Sequence, residues 1–266
     1  MKIAALQMVS TPDVNRNLAT AAKLIAQAAT AGAKLVALPE YFCLMGQRDD
    51  DKLAIAEADG DGPIQRFLAG AAKQHGLWLV GGTLPIRAST AGKVRNACCV
   101  WSPDGQRVAR YDKIHLFAFN NGRESYDEGR VLEAGDTPVA FEAEGLRVGL
   151  SVCYDLRFPE LYRRLMRPPC DVLVVPAAFT HTTGQAHWEL LLRARAVENQ
   201  CVVLASAQGG LHENGRRTFG HSMVIDPWGA VLACQVDGEG MAMAEVDLTR
   251  RDAVRAQLPA LAHRRL

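Results

Sequence analysis

A thiol, a carboxylate and an ammonium each stand where a short apolar run of this sequence ends. Leu146-Arg-Val-Gly-Leu-Ser-Val-Cys153 reads as a strand, and Pro159-Glu160-Leu161-Tyr162-Arg163-Arg164 reads as the first turns of a helix, with proline near the start where it is tolerated. A strand-to-helix turn puts Cys153 at the carboxyl edge of a sheet beside unpaired backbone N–H groups, which suits a nucleophile whose substrate develops negative charge. A cysteine in such a run is by itself ordinary core filler. Its company sets this one apart. Lys34-Leu-Val-Ala-Leu-Pro-Glu40 delivers a carboxylate at the end of one strand, and Val108-Ala-Arg-Tyr-Asp-Lys113 delivers an ammonium at the end of another. Either charge alone would read as a solvated loop residue.

Glu40, Lys113 and Cys153 together match a Glu–Lys–Cys catalytic group, and the chain resembles the nitrilase superfamily of carbon–nitrogen hydrolases. The resemblance is carried by Leu38-Pro39-Glu40, by Tyr111-Asp112-Lys113-Ile114-His115-Leu116 and by Ser151-Val152-Cys153-Tyr154-Asp155-Leu156-Arg157-Phe158-Pro159-Glu160. It continues through Ala177-Ala178-Phe179-Thr180, His187-Trp188-Glu189, Arg193-Ala194-Arg195-Ala196-Val197-Glu198-Asn199 and Gly220-His221-Ser222-Met223-Val224-Ile225-Asp226-Pro227-Trp228-Gly229, so it spans nearly the whole chain in order. It implies that Glu40 is the general base, that Cys153 forms a thioester, and that Lys113 with the backbone N–H of Tyr154 stabilises the oxyanion. It also implies a second acid that holds Lys113 charged and oriented. Glu128 matches it best, with Glu124 and Glu133 as competing assignments. Arg157, Phe179 and Thr180 are expected to line the substrate pocket, although Arg157 also suits a structural role. His187 and His221 read as structural groups, and Cys98 and Cys99 as core. The implied chemistry needs no metal and no organic cofactor.

The elements that must position these residues alternate along the chain. Helices are predicted over residues 15–31, 63–75, 159–167 and 185–199, and strands over 35–38, 77–80, 94–101, 108–111, 148–152, 172–177 and 201–207. Ser102-Pro103-Asp104-Gly105 and Asp226-Pro227-Trp228-Gly229 read as hairpin turns. Residues 117–135 form the main irregular segment, and a loop of that length is usually functional or mobile. The pattern predicts an α/β protein of sheets covered by helices and leaves the number of layers open. The resemblance implies a four-layer α-β-β-α sandwich whose subunits pair into a homodimer or a higher homo-oligomer. No linker or low-complexity stretch divides the chain, so residues 1–266 are expected to form a single domain.

Composition narrows the functions further. The 266 residues carry 30 Lys and Arg against 29 Asp and Glu, which leaves no electrostatic footprint for nucleic acid. The apolar runs are too short to span a bilayer, and the first residues read as a buried strand rather than a signal peptide, so no membrane partner is expected. Seven cysteines, an odd number set in mostly apolar segments, fit reduced thiols in a cytoplasmic protein. No C-x-x-C pair or H-E-x-x-H segment supports a zinc site.

Other enzyme classes fail on their motifs. A nucleophile elbow requires G-x-S-x-G, but Cys153 occupies its last position after Gly149-Leu150-Ser151-Val152. A papain-like protease would need its cysteine near the start. Val80-Gly81-Gly82-Thr83 lacks the spacing of a dinucleotide-binding loop. A catalytically silent scaffold of this fold would most simply have lost one of Glu40, Lys113 and Cys153. Within the superfamily, residues 182–201 and 207–229 resemble the deaminated-glutathione amidase branch. That branch implies a small amide substrate and release of 2-oxoglutarate and cysteinylglycine. An ω-amidase acting on 2-oxoglutaramate, or another small-molecule amidase or nitrilase, remains the alternative, because Phe117-Ala-Phe-Asn-Asn-Gly-Arg-Glu-Ser125 departs from the animal members of both branches.

Overall fold

Alternating side chains on the first strand already fix two layers. On Lys2–Gln7, Ile3 and Ala5 point to one face and Ala4 and Leu6 to the other, and all four are fully buried. A strand covered on both faces reads as a continuous apolar run, as this one does. The computed structural model describes residues 1–122 and 125–265. In its first sheet, Gly240–Glu245, Lys2–Gln7, Leu35–Ala37 and Trp78–Val80 lie side by side, the last three parallel. Trp78–Val80 then pairs with the long strand Val94–Trp101, which also pairs with Leu84–Arg87 and, on its other edge, with Arg107–Asp112. The second sheet runs Val231–Gln235, Ser222–Ile225, Val202–Ala207, Val172–Ala177, Leu146–Leu150 and Ala140–Ala143, with its three central pairings in the order antiparallel, parallel, parallel.

Helices close the outer faces. Val14–Thr30 and Pro63–His75 set Leu24, Ile25, Leu68 and Ala72 against Ala4, Leu6, Val36 and Leu38 of the first sheet. The Asp13 side chain caps the first of these helices by accepting from Arg16 N–H at 3.1 Å, an interaction worth about 1 kcal/mol. Pro159–Leu165 and His181–Asn199 pack on the second sheet. The two sheets face each other across a shared apolar core. Ser206 joins them with a polar stitch, its hydroxyl donating to Ala37 O at 2.9 Å and also meeting Leu6 O. The molecule is thus an α-β-β-α sandwich of four layers.

Three local features differ from the expectation. The segment expected to be irregular folds into a small hairpin, Ala118–Asn120 against Ser125–Asp127, followed by a 3-10 turn at Glu128–Arg130. The Phe119–Tyr126 cross-strand pair and the Phe117 ring 5.7 Å from Tyr126 supply an apolar side that a count of polar loop residues hides. The last long helix starts at His181, four residues earlier than its apolar pattern, because Thr180 caps it. Cys153 opens a 3-10 turn, Cys153–Arg157, before the helix at Pro159 begins. Among the described residues, no helix is long and apolar enough to cross a membrane.

Candidate active site

The ends of three strands meet where the two sheets face each other. Leu35–Ala37 is extended by Leu38 N–H donating to Val80 O at 2.9 Å, and two residues later the chain places Glu40. This approach is tight. Gly82 has φ +56°, and a Cβ there would lie 2.1 Å from Pro39 O, so only glycine fits beside the bend. Lys113 follows Arg107–Asp112 and is held on both sides, its N–H donating to Asn96 O at 3.1 Å and its carbonyl accepting from Gly135 N–H at 2.9 Å. Cys153 leaves the second sheet after Leu146–Leu150, where Ser151 N–H and Oγ both reach Val174 O, at 3.1 and 3.0 Å.

These three side chains are almost wholly inaccessible: Glu40 and Lys113 are each 1% exposed and Cys153 is 8%. Lys113 Nζ donates to Glu40 Oε1 at 2.9 Å and to both Glu128 oxygens, at 2.8 and 3.0 Å. Burial disfavours its charge, yet the negative charges of Glu128 and then Glu40 outweigh this and hold Lys113 well above the ordinary lysine range. Burial would likewise raise Glu128, but Lys113, the Phe117 N–H and the Tyr41 hydroxyl all favour its charged form and bring it below the usual carboxylate value. Phe117 N–H donates to it at 2.7 Å and Tyr41 OH at 2.7 Å. Glu40 accepts two further bonds, from Asn96 Nδ2 and from Ala178 N–H, each at 2.9 Å. Its carboxylate therefore spans both sheets.

Around Cys153 the backbone is unusual. The residue has φ +49°, in the left-handed region. The first bond of its 3-10 turn runs from Asp155 N–H to Val152 O at 3.0 Å, so Tyr154 N–H lies ahead of the turn's own ladder. Burial, then the charge of Glu40, pushes the Cys153 thiol well up, and Lys113 opposes them. The resting sulfur is a protonated thiol that needs a base.

The remaining expected residues fall into place around this centre. Phe179, Thr180, Arg157 and Cys153 line one small cleft, together with Phe117, Tyr154, Ala178 and Thr183. The Arg157 guanidinium lies 5.4 Å from the Phe179 ring centre and 5.9 Å from that of Tyr154, and meets His187 Nδ1 at 3.3 Å. Thr180 has two tasks, because it also caps the helix that follows. Of the acids that compete with Glu128, Glu133 faces elsewhere and binds Ser89, Thr90 and Arg95, while Glu124 lies outside the described residues. His221 stacks on Phe219 with ring centres 4.0 Å apart. Cys98 and Cys99 are core. Among the described residues, no group of three or more His, Cys, Asp or Glu side chains is arranged to hold a metal ion.

Two residues that sequence reasoning assigned no role turn out to organise the site. Asn96 sits inside the apolar run Val94–Trp101, and its burial beside Glu40 is the reason a polar amide stands there. Asp155, fully buried, accepts from Tyr111 OH at 2.6 Å, Val152 N–H at 2.8 Å and His115 N–H at 3.0 Å. It ties the Cys153 turn to the strand end that carries Lys113. The signal available in the sequence was a polar residue in an otherwise apolar context, which burial would force to find partners.

The chain is similar to known proteins along nearly its whole length. The family model for carbon–nitrogen hydrolases matches residues 2–256. A deaminated glutathione amidase from Synechocystis sp. is 44% identical, covering 98% of this chain and 97% of its own. One from Homo sapiens is 38% identical, over 99% of this chain and 82% of its own. The crystal structure of the Caenorhabditis elegans NitFhit protein superposes with a TM-score of 0.91 at 37% identity, covering 99% of this chain, which spans 65% of that longer one. A whole-chain match to the family model, with relatives this similar over nearly every residue, means that the chain belongs to the carbon–nitrogen hydrolase family.

Proposed function

We propose that the protein is a cofactor-independent cysteine amidase whose substrate is deaminated glutathione, acting through Glu40, Lys113 and Cys153. The observation that carries this reading is the buried ammonium of Lys113 bridging Glu40 and Glu128 beside a thiol in a left-handed turn. The names of the Synechocystis and human relatives supply the substrate. In the proposed sequence, Cys153 Sγ bonds to the amide carbon while Glu40 takes the thiol proton. Lys113 Nζ and Tyr154 N–H stabilise the oxyanion that forms. The C–N bond then breaks as Glu40 protonates the departing amine, cysteinylglycine, and leaves a thioester on Cys153. Water attacks that thioester, Glu40 accepts its proton, the C–S bond breaks, and the thiolate recovers the proton as 2-oxoglutarate departs. Glu128 keeps Lys113 charged and oriented throughout. Phe179, Thr180 and Arg157 form the wall of the acyl-side cleft.

Side-by-side kinetics of the protein and its Cys153→Ala variant test this, with 2-oxoglutarate release followed from deaminated glutathione and from 2-oxoglutaramate. Preference for the first substrate, lost in the variant, is the expected result. Preference for the second would make the protein an ω-amidase, and activity on neither would return the substrate to the wider family. We further propose that residues 1–266 act as one domain and that the chain pairs with itself. The apolar Leu190, Val197 and Trp228, exposed on or beside the outer helix His181–Asn199, support pairing, which sedimentation would test. Seven free thiols, six of them buried, fit a reducing cytoplasmic setting.

A further inference from the structure

A second, small cavity adjoins the site and shares Phe117 with the cleft at Cys153, with Glu128 and Tyr41 in its wall. Two cations of different origin look into it. Lys52, on the short helix Asp51–Ala54, has a side chain only 12% exposed, and its ammonium lies 4.8 Å from the Tyr41 ring centre. Arg216, between the strands Gly209–Leu211 and Arg217–Phe219, lies with its guanidinium 4.9 Å from the Tyr126 ring centre. Their supporting segments are tied together, since Asn214 Nδ2 donates to Gly46 O at 2.6 Å.

The local carboxylates are shared with other partners or held at a distance. Asp49 reaches Lys52 only at 3.8 Å, although Lys52 also donates to Asp49 O at 3.1 Å. Asp127 is engaged by Arg130 at 3.3 Å and by Gly129 N–H at 3.1 Å. Glu128 is taken up by Lys113. Among the described residues, Arg216 has no ion pair with a carboxylate. Burial, opposed by Asp49 and then reinforced by the charge of Arg216, lowers the Lys52 pKa from its ordinary value. Two cations in one aromatic-walled cavity repel each other, and an anion between them would relieve both.

We infer that Lys52 and Arg216 form a carboxylate-binding subsite for the leaving-amine half of the substrate, sharing Phe117 with the acyl cleft that contains Cys153. This rests on the proposed amidase reading and adds to it the recognition of the departing half. For cysteinylglycine the bound group is the terminal glycine carboxylate. A primary amide whose leaving group is ammonia offers nothing to this subsite. The subsite therefore separates a peptide-like leaving group from ammonia, the choice on which the two amidase readings differ.

The test uses the full chain, deaminated glutathione, and an analogue in which the glycine carboxylate is replaced by a carboxamide. Wild type is expected to prefer the acid by roughly tenfold or more in kcat/KM, mostly through KM, as for a charge-assisted contact. Lys52→Met and Arg216→Met should each lose on the order of tenfold on the acid and far less on the carboxamide. Arg216→Lys should recover part of the preference. Equal losses on both substrates in the Met variants would mean a merely structural role and overturn the inference. Equal turnover of acid and carboxamide by wild type would overturn it as well, while leaving the amidase reading intact. Wild-type inactivity on both compounds would instead overturn the deaminated-glutathione reading, and this inference with it.

Discussion

At the scale of single residues, the question is how a thiol that burial keeps protonated becomes a nucleophile. Glu40 does two opposing things to Cys153: its charge raises the thiol pKa, and in the proposed reaction its carboxylate removes the proton. The Glu40→Gln variant separates these effects. With the anion gone, the remaining charge of Lys113 favours thiolate, so the apparent pKa for alkylation of Cys153 by iodoacetamide should fall. Amide turnover should fall in the same variant by about a hundredfold or more, the usual effect of losing a general base. An unchanged alkylation profile would mean that Glu40 does not control the thiol. Lys113 needed no comparable disentangling, because a buried ammonium with two carboxylates at 2.8 to 3.0 Å is committed to its charge.

At the scale of elements, much was legible and the missing parts share a cause. Strands such as Val94–Trp101 and Val172–Ala177, and the helix Pro63–His75, were readable to the residue because mostly apolar runs or a proline start marked them. The motif turns that deliver Glu40, Lys113 and Cys153 were readable too. The hairpin after Phe117 was not, since its strands are three residues long and each contributes a single ring, Phe119 or Tyr126, between polar or small neighbours. Asn96 and Asp155 were hidden for a related reason: their partners lie 56 and 44 residues away in sequence. Asp155 offers a direct measure of such tertiary ties. Its replacement by alanine leaves Tyr111 OH and two backbone N–H groups without their acceptor, and should cost about 3 kcal/mol in chemical denaturation. Asp155→Asn, which keeps one carbonyl oxygen, should cost less. Equal stability of the alanine variant and wild type would show that the tie is dispensable.

For the whole molecule, the Lys113–Glu128 pair predicts the shape of stability against pH. Lys113 is raised on folding, so its contribution is complete below its unfolded value of about 10.4 and fades as pH climbs through the folded value. Glu128 is lowered, so its contribution is complete above about 4.3 and fades as pH drops through its folded value. Glu128→Gln should lose about 2 kcal/mol near neutrality, less than for a broken isolated pair because Glu40 still holds Lys113. Melting curves should show that gap narrowing below about pH 4. A gap independent of pH would assign the loss to packing rather than charge.

The Glu40 carboxylate has a further consequence at this scale. It accepts from Lys113 on the first sheet and from Ala178 N–H on the second, so the reacting group is assembled only while the two sheets are docked. A slide of about 1 Å between them would misplace the base without breaking a single strand pairing. Turnover thus acts as a gauge of interlayer alignment. In a urea titration, activity should decline before far-ultraviolet circular dichroism does, and coincident curves would mean that the layers separate only when the strands themselves dissolve.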